Sequence, residues 1–349
     1  MRLWQKCYNY HMSRIAINGF GRIGRAFFKL ALTKPELDVV AINDLGDLKA
    51  MVYLLKYDSV YGRYDKEVSA EDGMLRVADK TYKFFQEKDP LKLPWGQLGV
   101  DIVVEATGAF ESYEKASVHK TAGAKRVVLT APAKDDDNPD GRTVLMGVND
   151  EVLKTCSISS NGSCTTNSAS PVMQILVEKL GIKKAFLNTV HGYTPTQALI
   201  DGGAKDHDLR RMRAAGVNIV PSTTGAVIAV ARAIDSLKGK FDGMSMRVPV
   251  VTGSLSAITF VSERSTTAEE INLILKTAES DPRWQGIFKT TSDQIVSTDI
   301  IGDSYAAIAD LSLTKVVDGD LCAVYSWYDN EFGYTNSLVE HVLKVATLL

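Results

Sequence analysis

Two stretches carry residues whose types and spacing suit chemistry. Ser159–Ser168 reads S-S-N-G-S-C-T-T-N-S, a single thiol among hydroxyls, amides and a glycine. A cysteine that fills a core has Val, Leu or Ile neighbours; Cys164 has none, so its sulfur is either incidental or meant to react. Asn18–Gly24 reads N-G-F-G-R-I-G, placing Gly19, Gly21 and Gly24 as G-x-G-x-x-G. That spacing suits a backbone wrapped around phosphate: a tight turn at Gly19, close approach at Gly21, and close packing of helix on strand at Gly24.

The residues after Cys164 become helix-patterned, with a terminator at Gly181. The thiol therefore starts a helix, where the dipole and unpaired N–H groups are expected to stabilise a thiolate and lower its pKa. His191 closes the strand-like run A-F-L-N-T-V-H and is the candidate proton acceptor. The bland alternatives are a capping or buried Cys164 and an ordinary surface His191. Cys7, Cys156 and Cys322 lack such surroundings, and Cys322, in an apolar strand, reads as core.

The glycine motif follows an apolar strand and opens a helix, and Asp44 ends the next strand 20 residues beyond Gly24. Asp44 is placed to accept hydrogen bonds from ribose hydroxyls, which marks a dinucleotide site disfavouring a 2′-phosphate. A thiolate beside such a cofactor has a natural reaction. Attack on an aldehyde gives a thiohemiacetal, its C–H leaves as hydride to a nicotinamide, and the resulting thioester is cleaved by an added nucleophile.

Ser222–Ala226 (S-T-T-G-A) precedes a helix-patterned run, and hydroxyls with backbone N–H groups at a helix start make an anion site. Arg247, in M-R-V-P near a strand end, suits a clamp on phosphate oxygens. Arg210, Arg211 and Arg213 add positive charge after His191. Each alone has an ordinary reading, as an ion pair or a helix cap; together they suggest phosphorylated ligands.

These residues need two kinds of scaffold. From Arg14 to about Thr130, strand-like runs at Arg14–Asn18, Asp38–Asp44, Asp101–Glu105 and Arg126–Thr130 alternate with helical spacing at Arg25–Lys34 and Tyr113–Ala122. Such alternation predicts a doubly wound, Rossmann-type parallel sheet in an α/β domain. Beyond Ala185 the runs Ala185–Val190, Met244–Val250, Leu255–Ser262, Ala306–Leu313 and Leu321–Trp327 predict an α+β catalytic domain with a mainly antiparallel sheet. Glu331–Leu349 has helical spacing. The expected organisation is an extension over 1–12, a cofactor domain over 13–160 completed by a helix in 331–349, and a catalytic domain over 161–330.

At 349 residues, two domains are the natural expectation. A net charge of -2 argues against general affinity for nucleic acid or anionic membrane. No apolar run reaches the length of a transmembrane helix, and Met1–Met12 lacks the apolar core of a secretory signal. Four cysteines without C-x-x-C and five scattered histidines suggest neither a disulfide framework nor a metal site, and fit a reducing cytoplasm.

The stretches I-N-G-F-G-R-I-G-R, L-L-K-Y-D-S-V-Y-G-R, S-N-G-S-C-T-T-N, M-R-V-P and S-W-Y-D-N-E-F-G-Y closely resemble the phosphorylating glyceraldehyde-3-phosphate dehydrogenase family, in order over nearly the whole chain. The resemblance implies reversible oxidative phosphorylation of glyceraldehyde 3-phosphate with NAD in glycolysis, by a homotetramer. It implies Cys164 as nucleophile and His191 as its activator. It assigns substrate and inorganic phosphate to Ser163, Thr165, Thr194, Arg211, Thr224, Gly225 and Arg247. Asn18, Gly19, Gly21, Arg22, Ile23, Asp44, Lys88, Thr107, Thr130 and Asn330 match cofactor contacts, with Asn330 at the nicotinamide carboxamide.

Some positions depart from the family pattern. Ser168 replaces a frequent second cysteine, which spares the mechanism and removes one oxidation route. Thr196 and Ala198 stand where acidic and basic residues are common, and the loop near Gly202–Gly203 is longer and lacks the familiar Leu-Pro. Erythrose-4-phosphate dehydrogenase is the nearest rival, but it usually lacks the equivalents of Tyr193–Thr194 and Thr223–Gly225. A non-catalytic cofactor-binding relative would be expected to have lost Cys164 or His191.

Overall fold

The computed structural model describes residues 12–203 and 208–349, so all but the last residue of the expected extension lies outside the described residues. Two large sheets organise the chain. The first has nine strands in the order Gly141–Thr143, Ile158–Ser160, Arg126–Leu129, Ile102–Glu105, Ser13–Asn18, Leu37–Asn43, Lys80–Phe85, Met74–Val77, Val68–Glu71. The first seven run parallel, and the last two fold back antiparallel. Apolar residues on both faces, such as Ile15, Ala16 and Ile17, are fully buried, as a helix-covered parallel sheet requires.

Strand Ser13–Asn18 lies centrally, with Leu37–Asn43 on one side and Ile102–Glu105 on the other. Connections leaving it in opposite directions open a crevice at the strands' carboxyl ends, the place where α/β sheets bind ligands. The helix after it spans Arg22–Ala31, three residues earlier than its expected start at Arg25, because Gly21 is already its extended N-cap. Tyr113–Ala122 is two short helices, Tyr113–Ala116 and Val118–Thr121. Ser117 breaks them, its hydroxyl donating to the Glu114 carbonyl at 2.6 Å.

The second sheet has eight strands, with the path Val220–Ser222, Phe241–Val248, Ile182–Gly192, Ser254–Ser262, Leu321–Tyr328, Ala307–Asp310, Phe288–Thr291, and Lys315–Val317 pairing beside Leu321–Tyr328. Most neighbours are antiparallel; Ile182–Gly192 with Phe241–Val248, and Phe288–Thr291 with Ala307–Asp310, are parallel. Helix Cys164–Leu180 packs on one face, over Leu187, Ile258 and Phe260. On the opposite face Phe186 and Val190 are exposed. The C-terminal helix Phe332–Ala346 packs on Arg22–Ala31 and on Cys164–Leu180. No helix among the described residues is long and apolar enough to cross a membrane.

Candidate active site

The glycine motif forms the floor of a cleft of ≈ 450 Å³ lined by Asn18, Gly19, Gly21, Asp44, Lys88 and Thr107 among others. Sterics dictate the glycines. Gly19 has φ +99°, and a Cβ there would stand 2.6 Å from the Ala106 carbonyl carbon and the Thr107 nitrogen. A Cβ at Gly24 would stand 2.0 Å from Gly19 O, so only glycine lets the helix start this close to the strand. Gly21 has nothing within 4 Å of its Cβ position, which leaves room for a ligand against its backbone. The first-turn N–H groups of Arg22–Ala31 face that room without intrahelical partners.

Asp44 accepts from Phe20 N at 2.6 Å and Gly46 N at 2.7 Å, which fixes the carboxylate at the cleft edge with acceptor capacity to spare. Beneath the cleft, buried Glu105 accepts from Thr107 N at 2.8 Å and Asn18 Nδ2 at 2.5 Å and pairs with buried His119 at 2.9 Å. Glu105 thus holds two of the expected cofactor contacts, a role the sequence reading missed. Arg22 does not offer its guanidinium to the cleft: Glu331 and Asp58 take it up, the latter at 3.2 Å. Ile23 packs partly buried against the core, and Thr130 N donates to Glu105 O at 3.0 Å.

Cys164 is the first residue of its helix. Ser163 is the N-cap, its hydroxyl accepting from Thr166 N at 3.1 Å while Thr166 Oγ1 accepts from Ser163 N at 3.1 Å. This reciprocal cap fixes the helix start and with it the direction of the sulfur. His191 lies at the end of strand Ile182–Gly192, and Cys164 Sγ is 3.2 Å from His191 Nε2. Arg247 pairs in register with His191 on the adjacent parallel strand, and its Nη1 lies 2.7 Å from His191 Nδ1.

The electrostatics differ from the sequence expectation. Burial pushes the Cys164 thiol up rather than down, outweighing the charge of Arg247 and the Thr165 backbone N–H, which pull it back. The helix start therefore contributes, but a resting thiolate does not follow from it. Burial, and then the charge of Arg247, push His191 down to about 3, so its imidazole is neutral near pH 7. A neutral imidazole beside a protonated thiol is a base poised beside an acid.

Tyr328 was also missed, although its segment was recognised. Its buried hydroxyl lies 2.9 Å from Thr165 Oγ1 and 2.7 Å from Thr189 Oγ1, and its ring meets His191 edge-on at 5.9 Å. Next to it, fully buried Asp329 accepts from Tyr61 Oη at 2.8 Å, Gly302 N at 2.8 Å, Glu331 N and Phe332 N at 2.9 Å, and Thr252 Oγ1 at 3.2 Å. Asn330 Oδ1 accepts from Ser254 Oγ at 2.9 Å and Gly253 N at 3.2 Å, which turns its amide so that Nδ2 is the end left for another acceptor. The open space over Gly21 and this donor end both fit a dinucleotide.

The remaining expected anion contacts bond locally. Thr194 Oγ1 lies 2.9 Å from Thr196 Oγ1, and Thr224 Oγ1 accepts from Ala226 N at 3.2 Å, with Gly225 as N-cap of helix Ala226–Ala233. Arg211 pairs with Asp208 at 3.6 Å and lies close enough for its charge to act on Arg247. Ser168, one turn beyond Cys164, donates to Ser256 Oγ at 3.1 Å in a buried serine cluster.

Comparison with known proteins gives two family matches that together span most of the chain. The glyceraldehyde 3-phosphate dehydrogenase NAD binding domain matches residues 13–113, and the C-terminal domain of the same family matches residues 163–330. The chain is 46% identical over 342 residues to a glyceraldehyde-3-phosphate dehydrogenase of Clostridium pasteurianum, covering 96% of this chain and 100% of the relative. It is 48% identical over 332 residues to that of Thermotoga maritima, covering 94% and 98%. With the Streptomyces coelicolor protein of the same name it shares 45% over 339 residues, covering 96% and 99%.

Proposed function

The chain belongs to the glyceraldehyde-3-phosphate dehydrogenase family, and on that premise we propose that it oxidises glyceraldehyde 3-phosphate to 1,3-bisphosphoglycerate with NAD and inorganic phosphate in glycolysis. The observation that carries the residue assignment is the 3.2 Å contact between Cys164 Sγ and His191 Nε2, at the start of helix Cys164–Leu180. Asn18, Gly19, Gly21, Asp44, Lys88, Thr107 and Asn330 would hold NAD, with the backbone of Arg22 and Ile23 and with Thr130 alongside. NAD bound there supplies the hydride acceptor.

His191 Nε2 takes the thiol proton, Cys164 Sγ bonds to the aldehyde carbon, and the imidazolium returns that proton to the former carbonyl oxygen, which gives a thiohemiacetal and a neutral imidazole. His191 then removes the hydroxyl proton as the C–H bond breaks, leaving a thioester on Cys164. A phosphate oxygen attacks that carbonyl, the C–S bond breaks, and the acyl phosphate leaves with the sulfur anion restored. Ser163, Thr165, Thr194, Arg211, Thr224, Gly225 and Arg247 are assigned to the phosphates of substrate and attacking anion. Thr165 and His191 are both braced by Tyr328.

The same reading assigns the cofactor domain to 13–160, completed by the helix in 331–349, and the catalytic domain to 161–330. Assembly is as a homotetramer, supported by the exposed apolar side chains Leu199, Ile200, Val217 and Ile219. A reducing cytoplasm is supported by the free thiols Cys156, Cys164 and Cys322 among the described residues.

Cys164→Ser tests the assignment. Turnover should fall by on the order of 10⁴-fold or more, while NAD binding, followed by fluorescence titration, stays near its original value. Undiminished turnover would remove the thioester route. Parallel assays with glyceraldehyde 3-phosphate and erythrose 4-phosphate, each with NAD and NADP and with and without phosphate, read substrate, coenzyme and nucleophile together.

A further inference from the structure

The helix that starts at the glycine turn packs against the last helix of the chain, and the two are tied at two places. Arg22, the first residue of Arg22–Ala31, gives Nε and Nη2 to the two carboxylate oxygens of Glu331, the residue before Phe332–Ala346. Beyond the other end of the first helix, Lys34 Nζ donates to Glu340 Oε1 at 3.2 Å. The first tie is a two-bond fork, which fixes direction as well as distance. The second is a single bond from a flexible ammonium. Burial works against the Arg22 charge, but the bonds and charge of Glu331, with Asp58 beside it, raise its pKa above the ordinary value, so the guanidinium stays charged. Tyr61 adds a strut from the same side, its hydroxyl donating to Asp329 at 2.8 Å and its ring meeting Phe332 at 5.7 Å. Asn330 thus lies between residues held from the cofactor domain, while its own amide oxygen is bonded to Gly253 and Ser254.

We propose that Arg22 and Glu331 are positioning residues that set the span between the two ends of the cofactor site, the glycine turn and Asn330. This deepens the reading above and rests on its assignment of Asn330 to the nicotinamide carboxamide. The guanidinium is turned from the turn it follows, so the pyrophosphate is left to backbone N–H groups and the helix dipole. What the fork supplies instead is a fixed separation. A ligand held at two points gains fully from the second only when both already stand at the right distance. A variable span makes the ligand bear the cost of ordering it. The fork joins the first residue after the glycine turn to the residue after Asn330, so it acts where that span is set.

The test compares NAD with ADP-ribose, which carries the same adenosine, pyrophosphate and second ribose but lacks the nicotinamide. The ratio of their affinities, from calorimetric titration, reads the nicotinamide end alone. A change of charge at the helix start acts on the pyrophosphate that both ligands share, and cancels in the ratio. Glu331→Gln should lower the ratio about threefold to tenfold, the scale of one hydrogen bond. Arg22→Gln should lower it equally, and the double variant no further, because either change alone removes the fork. Lys34→Gln loosens the same helix pair at its other tie and should leave the ratio at the wild-type value. An unchanged ratio in Glu331→Gln and Arg22→Gln, additive losses in the double variant, or an equal loss in Lys34→Gln overturns the positioning role and leaves a stabilising ion pair. Asn330→Ala keeps this distinct from failure of the assignment beneath it. A ratio unchanged by Asn330→Ala removes the carboxamide from Asn330, and the proposal falls with that reading.

Discussion

The Ser159 hydroxyl and the His341 imidazole meet at 2.7 Å, tying the strand that leads into the nucleophile loop to the last helix of the chain. His341 Nδ1 donates to Asn161 Oδ1 at 3.0 Å, so Nε2 accepts from Ser159 and the ring is satisfied while neutral.

Burial pushes His341 down to about 3 from an ordinary value of 6.5. Between those values the unfolded chain binds a proton at this position and the native chain does not. The stability it contributes is therefore present above pH 6.5 and lost as pH falls toward 3, at about 1.4 kcal/mol per pH unit for one such group. In urea unfolding series across this window, His341→Gln should lose stability with acid less steeply than the wild type by about that slope. Parallel slopes would mean that His341 does not stay neutral in the fold.

Gly21 and Gly24 should respond differently to the same change. Gly21→Ala adds a Cβ where the protein offers no neighbour within 4 Å, at φ -66°, so the melting temperature should hold while NAD affinity drops. Gly24→Ala drives a Cβ to 2.0 Å from Gly19 O and should lower both, with a stability loss of about 1–3 kcal/mol. Scanning calorimetry with NAD titration separates the two cases; equal NAD affinity in Gly21→Ala and wild type would count against pyrophosphate lying over this turn.

Ile200 is 76% exposed and Val217 79%, an unusual cost for large apolar side chains in a lone chain. Replacing both with Asp should shift the assembly toward smaller species in analytical ultracentrifugation. An unchanged sedimentation profile would place the subunit contacts elsewhere.

What the sequence made legible was local. The glycine motif, Asp44, the helix start at Cys164 and the strand end at His191 all depend on spacing within one or two elements, and spacing is what a sequence displays. The ribbon Val68–Glu71, Met74–Val77, Lys80–Phe85 went unread, although the Asp72–Gly73 pair, at φ 50° and 75°, is the turn chemistry a tight hairpin needs. Tyr328 and Arg247 were harder. Tyr328 reaches Thr165 across 163 residues and Arg247 reaches His191 across 56, so their contacts follow from sheet register and packing, which no single segment encodes. The sign of the Cys164 shift was misread for the same reason: a helix start is visible in sequence, whereas the desolvation that outweighs it is a property of the assembled chain.

Asp329 gathers donors from four separate stretches of chain, and Asn330 is locked beside it by Gly253 and Ser254. In the cleft over the glycine motif, Leu45 and Lys88 stand in solvent around Asp44. Retuning coenzyme preference in this scaffold is therefore a one-ended engineering problem. The rim proposed for the adenosine can be rewritten residue by residue, whereas Asn330, proposed for the carboxamide, is bonded to Gly253 and Ser254 and cannot be altered without disturbing them.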